Sequence, residues 1–318
     1  MALFISETEV DRLLDRDALI AALRSAFVEL SAGRVAQPLR SVLPFAPGGA
    51  VTARGAGTHP PGLLFLKPAQ IGDALATKLI TLVPDNALRD RPTLMATVLL
   101  MSPLSGEVLA IIEANALTAL RTAAASAVAI DALAAPDAEV VAFLGSGVLA
   151  RSHAELLRRV RRVREIRVWS RSPDKVRQCA QAVDGIASPS AEQAVRGADI
   201  VCTLSNASEP ILMGRWLKRG ACVAAVGAPR PGWRELDDEA MRHPVIADQR
   251  EAALTESGDV MLSGCSIFAE LGEILSGAVS KPPPGETVVF KSLGLAIEDA
   301  VAARLVFEAA KARGEHGL

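Results

Sequence analysis

The sequence predicts an α/β protein in which a parallel-sheet unit with helical crossovers is inserted into a mostly antiparallel α+β unit. Three observations predict it. An apolar run, Val140–Leu144, leads straight into Gly145-Ser-Gly147-Val-Leu-Ala150 and then a helix-like segment, AELLRRVRRV. From Glu139 onward strand-like and helix-like segments alternate, the pattern of a parallel sheet with right-handed crossovers. Upstream, residues 35–112 read as short β-rich runs separated by Pro, Gly, Asn and Asp.

The elements follow in order. Ser6-Glu-Thr-Glu9 has the form of a capping box ahead of an amphipathic helix. The helical pattern continues through Leu13, Leu14, Leu19, Ile20, Leu23, Phe27 and Leu30, as two helices broken near Asp15–Asp17. Strands are predicted at Ser41–Phe45, Gly62–Lys67, Ala76–Val83, Thr93–Met101 and Glu107–Ile112, with a hairpin turn at Ser105-Gly106. Leu117–Leu133, rich in alanine, reads as a closely packed buried helix. The parallel strands are Val140–Leu144, Ile166–Ser170, Ile200–Leu204, Cys222–Val226 and Val245–Ala247. Pro173 and Ser190 stand at helix starts. A last strand, Thr287–Lys291, precedes a final helix near Ala296–Ala310 that is expected to return to the first unit. The expected domains are therefore 1–120 plus 295–318, and 121–294.

The strand–glycine turn–helix at Val140–His153 is the arrangement in which helix N-terminal amides face a pyrophosphate. Gly145 makes the turn, Gly147 admits the phosphates, and Ala150 lets helix and strand pack closely. The plain alternative is a βα turn with no ligand; both flanks favour the Rossmann-type dinucleotide site. The second strand of such a fold ends at the adenosine ribose, where NAD specificity calls for an acid. Here the sequence is Val168-Trp169-Ser170-Arg171-Ser172, with Lys175 a turn later. An arginine and two hydroxyls suit a 2′-phosphate, so the expected cofactor is NADP(H). The plain alternative for Arg171 is a solvated loop arginine.

Bulk properties exclude other classes. A formal net charge of −2 over 318 residues gives no general attraction to nucleic acid or anionic membrane. The run Arg158, Arg159, Arg161, Arg162, Arg164 reads as the wet face and C-terminal turn of the first crossover helix, where cations offset the dipole. The cysteines Cys179, Cys202, Cys222 and Cys265 have no metal-ligand spacing and read as reduced thiols. No metal site is expected. The N-terminus lacks a basic region and a long apolar core, and the apolar run around Ala96–Met101 is too short to span a bilayer, so a cytoplasmic protein is expected. With no tyrosine in the chain, a tyrosine acid is excluded.

Several long motifs occur in one order. They are Ala76-Thr-Lys78-Leu-Ile-Thr, Leu117-Thr-Ala-Leu-Arg121-Thr-Ala-Ala-Ala-Ser126, Val226-Gly-Ala-Pro-Arg-Pro-Gly-Trp-Arg-Glu-Leu-Asp237, Glu256-Ser-Gly-Asp-Val-Met-Leu-Ser-Gly264, Ile267-Phe-Ala-Glu-Leu-Gly-Glu273 and Val289-Phe-Lys-Ser-Leu-Gly294. With the glycine turn, they resemble the ornithine cyclodeaminase/μ-crystallin family over nearly the whole chain, and the second half resembles its μ-crystallin branch, the NADPH-dependent ketimine reductases. The resemblance implies a substrate-binding sheet domain that forms a homodimer, with a Rossmann domain inserted. It implies a small amino- or imino-acid substrate carrying a carboxylate.

Residue by residue, the resemblance places a carboxylate-binding arginine at Arg40, the substrate-site lysine at Lys78 and a second arginine, near substrate and nicotinamide, at Arg121. A bidentate arginine clamp orients a planar carboxylate. A lysine beside two arginines is expected to have its pKa lowered, which eases proton donation. Glu256 is the lesser candidate, for orienting the substrate nitrogen; its plain reading is a helix-start carboxylate. Lys78 alone could be a surface lysine, whereas Arg121, inside an alanine-rich helix, needs a partner if buried. Thr203, Leu204, Ser205 and Asn206 are expected to edge the nicotinamide, and Ser292 and Leu293 to close the site. The remaining expected cofactor contacts are Thr122, Gly145, Ser146, Gly147, Val148, Leu149, Ser170, Arg171, Ser172, Lys175 and Gly227.

Departures from the family pattern narrow the activity. Cyclodeaminases carry an acid after the fifth strand where this chain has Pro229, and an NAD-type acid after the second where it has Ser170. Leu94-Met95 stands where relatives often have a polar residue. The expected reaction is NADPH-dependent reduction of a cyclic ketimine carboxylate, of the Δ1-piperideine-2-carboxylate or Δ1-pyrroline-2-carboxylate type, to the L-imino acid. The alternatives are an ornithine cyclodeaminase or related amino-acid dehydrogenase, and a non-catalytic, crystallin-like NADP-binding protein.

Overall fold

The computed structural model of the chain describes residues 2–45, 62–89 and 91–314. The helices, in order, are α1 (Glu7–Leu13), α2 (Arg16–Ser31), α3 (Asn115–Leu133), α4 (Val148–Val160) and α5 (Pro173–Ala182). They continue with α6 (Ala191–Val195), α7 (Arg250–Glu256), α8 (Gly258–Ser263), α9 (Leu271–Ser276) and α10 (Ala296–Ala312). The chain divides into two units, Met1–Leu19 with Val35–Thr118 and Ala296–Leu318, and Ile20–Arg34 with Ala119–Leu295.

The first unit is built on a six-stranded sheet of β1 (Leu3–Ile5), β2 (Ser41–Phe45), β3 (Gly62–Ile71), β4 (Ala74–Leu82), β5 (Leu94–Met101) and β6 (Val108–Glu113). Its order is β1-β6-β5-β4-β3-β2. All neighbours are antiparallel except β1, which joins β6 in parallel. The short β1 is not legible in the sequence. Before α1, the Glu9 carboxylate accepts from the Ser6 backbone N–H at 2.8 Å, one of the two reciprocal bonds of a capping box, and also from the Ser6 hydroxyl at 2.6 Å.

Alternation gives this sheet two different faces. One row runs Ile5, Ile112, Val98, Lys78, Lys67 across five strands. Every member is buried, and α10 packs on this face through Asp299. The adjacent row, on the other face, runs Phe4, Ile111, Leu99, Thr77, Pro68. Phe4 is 46% and Ile111 37% exposed.

The second unit is an eight-stranded, all-parallel sheet. Its strands are β7 (Val140–Leu144), β8 (Glu165–Trp169), β9 (Ile186–Ala187), β10 (Ile200–Thr203), β11 (Cys222–Ala225), β12 (Val245–Ala247), β13 (Ile267–Glu270) and β14 (Val288–Lys291). The order β13-β12-β14-β11-β10-β7-β8-β9 reverses direction at β7, and the crevice at such a switch point is where open α/β sheets bind ligands. Residues 20–34, expected with the antiparallel unit, group with this one. Side-chain chemistry explains it: Ser31 Oγ donates to Glu270 at 2.7 Å, Arg24 pairs with Asp131, and a Cβ on Gly272 would meet the Phe27 carbonyl at 1.9 Å.

Among the described residues α3 is the one helix long and apolar enough to cross a bilayer, and 72% of that stretch is buried inside the protein. Alanine makes it thin enough to pack closely. The arginine run is absorbed by the second unit. Arg158 donates to the Val183 carbonyl at 2.6 Å, Arg161 binds Asp131 at 2.5 Å, and Arg162 and Arg164 face Glu139. Cys179, Cys202 and Cys222 are buried as free thiols and Cys265 half-buried. Burial pushes the Cys222 thiol up to about 12, so it stays protonated and inert.

Candidate active site

In the second unit, strand register collects the expected cofactor residues at one edge. Trp169, Leu144, Thr203, Ala225 and Lys291 are successive partners across β8, β7, β10, β11 and β14. The residues that follow each strand, Ser170, Gly145, Leu204, Val226 and Ser292, therefore lie along the C-terminal edge of the sheet. Gly145 has φ +148, and a Cβ there would sit 2.4 Å from the Leu204 carbonyl oxygen. Glycine is required on both counts. Gly147 begins α4 with an ordinary φ of −84 and nothing within 4 Å of a Cβ position. It has no side chain to cap the first-turn amides of Val148 and Leu149, which are thus left for an anion. Ser146 and Ser170 share a hydroxyl hydrogen bond of 2.8 Å. Ser172 is half-buried, and Arg171 and Lys175 are exposed.

Buried carboxylates brace this edge, and sequence reasoning missed them. Glu235, fully buried, accepts from the Ser205 N–H at 2.7 Å, the Ser205 hydroxyl at 2.6 Å and the Gly227 N–H at 2.8 Å. One side chain thus fixes the loops after β10 and β11. Burial pushes the Glu235 carboxyl above its ordinary range, against the opposing charge of Lys291 and the Ser205 hydrogen bond. Lys291 donates to the Gly227 carbonyl at 2.5 Å and to Asp259 at 2.9 Å. Asp248 accepts from the Leu293 and Gly294 amides at 2.5 and 3.1 Å. The signal available was a charged residue at the end of, or just beyond, an apolar run, in each of Val245–Asp248 and Val288–Lys291.

Arg121 and Thr122 lie in α3, 5% and 6% exposed. The Arg121 guanidinium lies against Gly294: a Cβ at Gly294, whose φ is +70, would stand 2.5 Å from Nη1. The Asp248-braced loop therefore also backs Arg121. His153 of α4 binds the Leu149 carbonyl through Nδ1 at 2.8 Å and Ser126 of α3 through Nε2 at 2.9 Å. This ties the helix of the glycine turn to the helix that carries Arg121. Burial lowers the His153 pKa to about 4, so the ring is neutral. Glu256 ends α7, half-buried, and Pro229 is half-buried in the loop after β11.

A nicotinamide dinucleotide fits the edge on two observations. The first is the uncapped start of α4. The second is Ser292, 1% exposed, whose Oγ is buried with no hydrogen-bond partner. An orphaned hydroxyl at the end of β14 suits the polar amide of a nicotinamide. Among the described residues no cluster of His, Cys, Asp and Glu could hold a metal ion.

In the first unit, Lys78 is fully buried on β4. Its Nζ donates to Asp299 Oδ1 at 2.9 Å, and Lys67 Nζ donates to Asp299 Oδ2, also at 2.9 Å. Lys67 and Lys78 are direct cross-strand partners. The sequence reading set Lys78 among arginines; the structure gives it a carboxylate it shares with a second lysine, and neither Lys67 nor Asp299 was singled out. Arg40 is half-buried, immediately before β2.

Fold and site together define a dinucleotide-binding α/β protein whose first unit carries a buried, carboxylate-bound lysine. The chain belongs to the ornithine cyclodeaminase/mu-crystallin family, whose model matches residues 1–314. Among its relatives is the ketimine reductase mu-crystallin of Mus musculus, 45% identical over 315 residues, 96% of each chain. Among solved structures, Thermococcus litoralis Δ1-pyrroline-2-carboxylate reductase in complex with NADH and L-proline is similar at a TM-score of 0.88 and 31% identity, over 98% of each chain. An archaeal alanine dehydrogenase dimer with bound NAD matches at a TM-score of 0.90 and 28% identity, over 100% of this chain and 98% of that one.

Proposed function

We propose that this protein reduces a cyclic ketimine carboxylate, of the Δ1-piperideine-2-carboxylate or Δ1-pyrroline-2-carboxylate type, to the L-imino acid with NADPH. The observation that carries the reading is Lys78, an ammonium held by Asp299 with no exposure to water. Such a group can protonate an imine nitrogen in a dry site, which makes the adjacent carbon electrophilic. The two relatives named for ketimine and pyrroline-2-carboxylate reduction support the substrate class. When bound, the cofactor supplies hydride. In this reading Arg40 and Arg121 hold the carboxylate, and Glu256 orients the substrate nitrogen. Glu235 and Asp248 keep the edge loops in place, so that little reorganisation is needed at reaction.

The choice of NADPH rests on Arg171 and Lys175, exposed beyond β8, with Ser146 and Ser170 beside them. Two cations and two hydroxyls match a 2′-phosphate. Asp174 nearby is paired with Arg177. Pro229 offers no proton acceptor where a cyclodeaminase has an acid. A purely binding protein has no use for two lysines and an aspartate buried together, because burying charge is costly.

The assembly in this reading is a homodimer through the outer face of the first unit's sheet. Phe4, Ile111, Met95 and Leu43 project from that face with 37–56% exposure, an apolar area that a second copy would cover.

Mixing purified protein with NADPH and five- or six-membered cyclic imino acids tests the reading. Consumption of NADPH is expected with at least one of them, and Lys78→Ala is expected to abolish it. Lys78→Ala at full rate would overturn the assignment of the proton donor.

A further inference from the structure

Two buried lysines on neighbouring strands share one aspartate. Lys67 and Lys78 face each other directly across β3 and β4, where like charges repel. Asp299, near the start of α10, bridges them at 2.9 Å each. The three side chains are 4%, 0% and 1% exposed. A single lysine would neutralise Asp299. The second leaves the trio one positive charge in excess.

We infer that Lys67 and Asp299 are positioning residues that set the acidity of Lys78; the inference rests on reading Lys78 as the proton donor. In the proton transfer an N–H bond of the Lys78 ammonium breaks and one forms on the imine nitrogen. Lys78 remains as a neutral amine and is reprotonated from solvent before the next turnover. With Asp299 alone beside it, that loss would strand a buried carboxylate. Lys67 stays charged and keeps Asp299 paired, so the proton leaves a neutral ion pair behind. Lys67 thus makes Lys78 a stronger acid, while Asp299 aims its Nζ and limits how far the pKa falls.

Other charged groups on the packing elements do not alter the direction. On β3 and β4, Lys67 and Lys78 are the only ionisable residues, and β5 has none. On α10, Glu298 is buried; it is present in every variant and so does not change the sign of the shift that loss of Lys67 produces. Arg304 is paired with Asp73 and Glu308, and Lys311 lies over the Phe307 ring.

The test is the pH profile of kcat/KM for NADPH-dependent imine reduction, whose basic limb reports the donor. Lys67→Met removes a positive charge from beside Lys78 and Asp299, so the limb should move up by about one pH unit or more. Asp299→Asn removes the anion and leaves Lys67, so the limb should move down. Lys67→Arg keeps the charge and should restore the position of the wild-type limb. Asp299→Asn leaves two buried lysines without the carboxylate they share and is the variant at risk of not folding; Lys67→Met keeps the Lys78–Asp299 bond and carries the test by itself. A Lys67→Met limb that stays in place, in a variant with wild-type circular dichroism, would overturn the inference. Lys78→Met separates the two levels: full activity there would refute the proton donor, whereas inactivity with an unmoved Lys67→Met limb would refute only the role of Lys67.

Discussion

Gly145 and Gly147 stand two residues apart, and the structure predicts opposite consequences for the same substitution. In Gly145→Ala the residue must hold φ at +148, a conformation that costs an L-residue roughly 1–3 kcal/mol. Its Cβ would also stand 2.4 Å from the Leu204 carbonyl oxygen and 2.8 Å from its carbon. That atom is backbone, and cannot rotate away. Overpacking of this kind costs roughly another 1–3 kcal/mol. The sum, about 2–6 kcal/mol, should lower the Tm of the cofactor-free protein by at least ~4 °C. Gly147→Ala has an ordinary φ and open space around its Cβ. Its Tm should stay within ~2 °C of wild type, since the cost at a helix N-cap is about 1 kcal/mol or less. The added methyl instead occupies space needed by the diphosphate, and the Kd for NADPH should rise at least tenfold, a loss of about 1.4 kcal/mol. Differential scanning calorimetry and fluorescence titration with NADPH measure the two effects separately. A Gly147→Ala protein that binds NADPH at wild-type affinity would refute the placement of the phosphates. An unshifted Tm for Gly145→Ala would refute the argument from its backbone.

Three further outcomes follow from other parts of the molecule. His153 ordinarily titrates at 6.5 and falls to about 4 when buried, so the unfolded chain binds the proton more readily. Stability is therefore complete above pH ~6.5 and falls by up to ~3 kcal/mol as the pH drops toward 4; urea unfolding across that window should show it, and His153→Gln should flatten the dependence. Arg171→Ala should raise the KM for NADPH about tenfold or more and leave that for NADH unchanged, because only the 2′-phosphate loses a charge-assisted partner. Ile111→Glu puts a charge in the middle of the exposed sheet face and should convert a dimer to a monomer in sedimentation velocity, with an unchanged circular dichroism spectrum because Ile111 is 37% exposed in the single chain.

The parallel sheet was legible because local signals agree with it. Val140–Leu144 is apolar throughout, since both its faces are buried, and the glycine turn follows at once. The capping box at Ser6 and Glu9 was legible for the same reason: its partners are three residues apart. Elements stabilised by distant residues were not. Residues 2–5 carry no pattern that announces β1, a short strand formed by pairing with residues 110–112. The grouping of residues 20–34 depends on Gly272 and Glu270, roughly 240 positions away in the chain. The site divides likewise. Gly145, Ser170 and Ser292 could be placed along one edge from the sequence because strand ends in an alternating fold line up there. Lys67 and Asp299 were missed because 232 positions separate them, and only the pairing of β3 with β4 sets Lys67 against Lys78. Glu235 was passed over because a carboxylate in a glycine- and proline-rich loop reads as solvated, whereas here its oxygens accept from the backbone N–H groups of two loops.

Side-by-side assay of cyclic imine with NADPH, and of ornithine with NAD, separates imine reduction from cyclodeamination. NADPH should be consumed rapidly with a five- or six-membered cyclic ketimine carboxylate, the L-imino acid should form, and ornithine should yield no ammonia. Ammonia release from ornithine with NAD, and undisturbed NADPH with both imines, would contradict imine reduction.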